Sequence, residues 1–140
     1  MDSDLCFPCN SQIPPAIPNG DDYEVSFLRA EQKPYKGQSK VYLWFRIESY
    51  GEWNGQELFM ACNLPQGWKW GPSSKFWGAW VLAAGKRPRR RDRMSVSVFR
   101  QKLFRARIRK VITTSKQIRR TPAQQYSVID ELLEVVVGAT

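Results

Sequence analysis

Lys40-Val41-Tyr42-Leu43-Trp44-Phe45-Arg46-Ile47-Glu48 decides how this chain is read. Val41, Leu43, Phe45 and Ile47 fall at every second position, the period at which a β-strand returns to one face, so the stretch predicts a strand with that face in a core. The alternate positions hold Tyr42, Trp44 and Arg46. On a strand packed from one side only, these project outward, and two large exposed rings side by side need a ligand to explain them.

Working outward, Gly51-Glu52-Trp53-Asn54-Gly55 is turn chemistry, with Asn-Gly supplying positive φ at little cost. It predicts a hairpin between residues 41–47 and 56–64. In the returning strand Leu58, Met60 and Cys62 share one side and Phe59, Ala61 and Asn63 the other, and the pattern leaves open which side is buried. Upstream, Tyr23, Val25 and Phe27 alternate with polar neighbours, predicting a first strand that Lys33-Pro34-Tyr35-Lys36-Gly37 interrupts. Downstream, residues 65–72 hold Trp68 and Trp70 among Gly and Pro and read as an irregular aromatic loop.

Ser73 or Ser74 then caps a predicted helix in which Phe76, Trp77, Trp80, Val81 and Ala84 recur at helical spacing and Gly85 is the stop. Residues 95–102 have no clear period. From Phe104 to Ile112 alternation returns, with Phe104, Ala106, Ile108 and Ile112 expected inside and Arg105, Arg107 and Arg109 outside. Residues 126–137 read as a strand or as a segment with a helical turn at 129–134.

The predicted order is strand, strand, strand, helix, strand, strand. It suits a mainly β fold, a five-stranded OB-type barrel with one helix between strands 3 and 4, with a small α+β sheet carrying one packed helix as the alternative. Residues 1–20, which contain Pro8, Pro14, Pro15 and Pro18, read as an extended arm. Residues 21–137 read as a single OB-like domain with basic loops at 86–93 and 113–125.

Charge narrows the partners. Among 140 residues, 22 Lys and Arg face 13 Asp and Glu, a net charge of +9, which favours polyanions through counterion release. The acids gather near the ends (Asp2, Asp4, Asp21, Asp22, Glu24; Asp130, Glu131, Glu134), while residues 86–120 are densely basic and broken only by Asp92. There is no histidine to act as general base, metal ligand or proton shuttle, and no phosphate-binding glycine motif, so a non-enzymatic protein without a cofactor is expected. Cys6 and Cys9 have CxxC spacing, but with no histidine only Cys62 or a carboxylate could join them toward the usual four zinc ligands, and reduced thiols are expected. With no long apolar run and no apolar, positively flanked leader, a soluble cytoplasmic protein is expected.

Single strands are held by aromatic faces that stack on bases and by cations that follow the phosphates. Tyr42, Trp44, Arg46 and Phe59 on the hairpin, and Trp53 at its tip, are the expected stacking surface. Arg105, Arg107 and Arg109, at period two on one strand, are the expected phosphate row. Arg89, Arg90 and Arg91, with Lys116, Arg119 and Arg120, extend it. The expected partner is single-stranded DNA, with RNA, or an acidic protein docked on the same aromatics and arginines, as alternatives.

Several segments carry a resemblance: Asn19-Gly20, Tyr23-Glu24-Val25, residues 40–47, Gly55-Gln56-Glu57-Leu58-Phe59 and Asn63-Leu64, then Lys102-Leu103-Phe104-Arg105-Ala106-Arg107-Ile108. Together they resemble the OB-fold single-strand-binding proteins of phages and mobile elements, over roughly residues 19–110. Those proteins place glycine before the Lys-x-Phe segment, where this chain has Gln101. The resemblance implies coating of single strands during replication or recombination of a mobile element, alongside proteins of those processes. Residues 135–140 carry no acidic tail of the kind many such proteins use to recruit partners, which implies recruitment by another route or solitary action.

Overall fold

A computed structural model describes residues 16–35, 38–65, 67, 69–112, 118–119 and 125–137. Five strands, β1 (Gly20–Tyr35), β2 (Gln38–Ile47), β3 (Glu57–Asn63), β4 (Leu103–Val111) and β5 (Tyr126–Val137), form one antiparallel sheet in the order β3-β2-β1-β4-β5. One helix, α1 (Lys75–Ala84), lies between β3 and β4 in sequence. The sheet curls until its edges β3 and β5 come into contact, with Phe59 and Tyr126 ring centroids 6.2 Å apart. Among the described residues no backbone ladder joins those two edges.

Strand β1 runs through Tyr35 rather than breaking at Lys33-Pro34. Its pairing with β4 ends at Ser26, and residues 29–35 bond to β2 alone, with Pro34 opposite Ser39. That part of β1 is a sheet edge, where a residue without an N–H is tolerated. A register shift between Phe27 and Arg29 bends the strand and leaves Leu28 exposed.

The helix is bounded as its sequence predicts. Ser74 Oγ accepts from the Trp77 N–H at 3.1 Å, and Gly85 closes the helix in the left-handed region at φ 74°. Lys102 Nζ reaches back to the Ala83 carbonyl at 2.6 Å, placing a cation on the helix C-terminus. Phe76, Ala79, Trp80 and Ala83 are the buried stripe.

The centre of the core is Phe99, on the short 3-10 helix Val96–Phe99, in the segment without readable period. Its ring lies 5.5 Å from Phe27, 6.4 Å from Phe45, 6.2 Å from Phe76 and 6.2 Å from Phe104. Two residues on, Gln101 has φ 58°, the left-handed conformation that glycine favours. Strand β5 is extended throughout, with no helical turn at 129–134.

Two boundaries differ from expectation. Ile17, assigned to the N-terminal arm, is fully buried in the core, and its N–H donates to Ser127 Oγ at 2.8 Å while that hydroxyl donates to its carbonyl at 3.1 Å. The packed unit therefore begins before residue 20; residues 1–15 lie outside the described residues. Ile112, expected inside, is exposed just past the end of β4, where alternation no longer applies. Among the described residues no helix is long and apolar enough to cross a membrane.

Candidate nucleic-acid interface

Alternation assigned the side of the sheet correctly. Tyr42 stands opposite Ala61, Trp44 opposite Phe59 and Arg46 opposite Glu57, so the hairpin's second face is a continuous row, extended onto β1 by Arg29 beside Trp44 and Glu31 beside Tyr42. The rings on it are nevertheless buried: Tyr42 is 0%, Trp44 1% and Phe59 2% exposed. They form a second apolar cluster with Val128, against which Ala61, Val111 and Tyr126 also pack. The end of the β4–β5 pair thus lies over this face.

Polar groups complete the cover. The Arg29 guanidinium sits 4.8 Å from the Trp44 ring centroid and pairs with Glu31 and Glu57, each at 3.3 Å. The Trp44 indole N–H donates to Glu31 at 3.1 Å. An exposed stacking surface at Tyr42, Trp44 and Phe59 is therefore corrected: with both faces of the hairpin packed, these rings are interior. Trp53 is corrected too, since it is half-buried against the main core rather than a free tip.

The arginine row of β4 is present and compensated. Arg105 pairs with Glu134 at 2.6 Å, Arg107 with Glu131 at 2.9 Å and Arg109 with Asp130 at 2.8 Å. Register explains the first two pairs, because Arg105 stands opposite Glu134 and Arg107 opposite Glu131 on β5. Arg105 also donates to the Asp21 carbonyl at 2.6 Å. A bare phosphate row on β4 is not what the fold presents. Arg46 is likewise held, by Glu48 at 2.7 Å. Glu48 accepts from Ser26 as well, and these bonds, with the Ser26 hydroxyl first, hold its carboxyl below the usual glutamate range.

The connection from α1 to the 3-10 helix differs. Arg90 makes a two-pronged pair with Asp92, at 3.2 and 3.0 Å. Lys86, Arg87, Arg89, Arg91 and Arg100 are exposed and form no ion pair among the described residues, while Arg93, also exposed, lies close enough to Asp92 to help hold its carboxyl in the charged form. Of these the sequence reading singled out Arg89 and Arg91. Lys86, Arg87 and Arg93 belong to the same charge run, and the run was their only signal. Arg119 is exposed, while Lys116 and Arg120 lie outside the described residues.

This connection is anchored where it crosses the core's edge. The Trp70 N–H donates to the Arg91 carbonyl at 3.1 Å, and the Trp80 indole donates to the Ser95 carbonyl at 2.9 Å. Arginine side chains therefore project from a backbone tied to two buried tryptophans.

Cys62 is a core residue of β3, and burial pushes its thiol up to about 12, so it is unreactive. Cys6 and Cys9 lie outside the described residues. No family model, curated protein or solved structure matches the chain.

Proposed function

We propose that this protein binds single-stranded nucleic acid without catalysis, through an OB-type barrel whose phosphate contacts come from the Lys86–Arg93 connection. The observation that carries the reading is the unequal compensation of charge. The acids of β5 pair with the arginines of β4, whereas Lys86, Arg87, Arg89 and Arg91 stand exposed without an ion pair among the described residues. Uncompensated, backbone-anchored cations favour a polyanion by releasing its counterions.

The barrel assignment draws on the strand order β3-β2-β1-β4-β5, the contact between β3 and β5, and a helix placed between β3 and β4. The glycine-like backbone at Gln101 is in keeping with the resemblance to phage and mobile-element single-strand-binding proteins, and so with a part in replication or recombination.

Titration of the purified chain with a dT oligonucleotide, its RNA counterpart and a duplex of equal length, at two salt concentrations, tests this. Tighter binding to the single strand than to the duplex, weakening steeply with salt, is expected. No binding to the dT oligonucleotide at low salt overturns the reading. Preference for the RNA strand would keep the mode and change the substrate.

A further inference from the structure

We infer that the phosphate track continues beyond the Lys86–Arg93 connection, onto Lys69 at one end and Arg100 at the other, so that the bound strand runs the length of α1. This longer track rests on the proposed function and adds two cations that lie outside residues 86–93.

The course of the connection follows from its two ends. It leaves α1 at Gly85, the helix stop. At Arg91 its carbonyl accepts from the Trp70 N–H at 3.1 Å, and the Trp70 ring stacks on Phe76, in the first turn of the helix, with centroids 4.2 Å apart. The chain therefore passes back along the helix, a length of about 15 Å for its ten residues. Lys86 and Arg87 stand toward the C-terminal end of α1, Arg91 toward the N-terminal end, and Arg89 between them.

Two hydrogen bonds between distant segments lengthen this line. Lys69 directly precedes Trp70, so the bond from Trp70 to Arg91 brings Lys69 beside Arg91, although the two are far apart in the chain. At the other end, the 2.6 Å bond from Lys102 Nζ to the Ala83 carbonyl ties the start of β4 to the last turn of α1. Arg100, two residues before Lys102, thereby comes to the end of the helix that Lys86 leaves. Both Lys69 and Arg100 are exposed, and neither forms an ion pair among the described residues.

Asp92 is the one acid between residues 86 and 102. It pairs with Arg90 and lies beside Arg93, so those two cations drop out of the track. The remaining six come from three separate segments and follow one path. Cations on such a path meet phosphates and carry no information about the bases.

The test titrates full-chain Lys69→Gln and Arg100→Gln, singly and together, with a dT oligonucleotide over a series of salt concentrations. Each single change should lower affinity about three- to fivefold at low salt and reduce the log–log salt slope by ~0.7, and the double change by ~1.4. Lys69→Arg and Arg100→Lys keep the charge and should keep the slope. Lys110→Gln removes an exposed cation at the end of β4 far from Lys102, and should change the slope by less than about 0.3. With melting temperatures unchanged, an unaltered slope in either single Gln variant overturns the track at that end. An equal change in Lys110→Gln overturns it at both, because net charge and not position would then set the affinity. If the unaltered chain does not bind the oligonucleotide at low salt, the function itself fails.

Discussion

Two groups of arginines carry similar charge in this molecule and differ in what they can do with it. On β4, Arg105, Arg107 and Arg109 line one strand, each with a carboxylate of β5 within 2.9 Å. Between α1 and the 3-10 helix, Arg87, Arg89 and Arg91 are exposed without an ion pair among the described residues, while Asp92 holds Arg90 and lies beside Arg93. The first group is the more regular in sequence and looks the better phosphate row. Regularity is what compensates it, because a strand whose side chains repeat at period two lies beside another strand with the same repeat, and there acids meet arginines across the ladder. An irregular connection has no such neighbour.

The largest expected effect comes from deleting the uncompensated charge. Arg87, Arg89 and Arg91 changed together to Gln should lower oligonucleotide affinity roughly 10- to 100-fold and reduce the log–log salt slope by about 2, at ~0.7 per phosphate contact on a single strand. Arg105, Arg107 and Arg109 changed together to Gln should alter affinity by less than about threefold, since those cations are already paired and exposed pairs contribute little. Equal losses in the two triple variants would erase the distinction.

A smaller effect of opposite sign sharpens it. Glu131→Gln with Glu134→Gln removes the shorter ion pairs of Arg107 and Arg105, leaving Arg107 beside Asp130 at 3.9 Å and Arg105 on the Asp21 carbonyl, and should raise affinity several-fold and steepen the salt dependence by about one contact. Unchanged binding would mean that the strand does not pass this face at all.

The smallest effect concerns Asp92. Asp92→Asn frees Arg90 and should raise affinity about twofold, read in the same titration. The hydrogen bonds from Arg90 hold the Asp92 carboxyl below the usual aspartate range. Being depressed, it stays ionised through the ordinary aspartate range and is neutralised only as pH falls below it. The unaltered chain should therefore show no gain in affinity on acidification from pH 7 to 5 from this source, and the Asp92→Asn advantage should be constant over that window.

Legibility varied along the chain for physical reasons. The helix was readable to within one residue at its start, between Ser73 and Ser74, and to the residue at Gly85, because caps act on backbone groups within a turn of themselves. The 3-10 helix bearing Phe99 was not, because four residues are too few to establish a period. For the candidate site, the side of the sheet carrying Tyr42, Trp44 and Arg46 was legible, and so was the charge run at 86–93. Burial of the rings was not, since it depends on Val111, Tyr126 and Val128, about seventy or more residues beyond Trp44.

The sequence by itself determined the mainly β character, the β2–β3 hairpin, the limits of α1 and the positive charge, all of which follow from interactions between residues near in the chain or from simple counting. Only the tertiary structure decided which aromatics are covered, that Ile17 belongs to the core, and which cations keep their charge available. Exposure and ion pairing depend on what lies across the sheet, and a strand's alternation names its two faces without naming what packs on either.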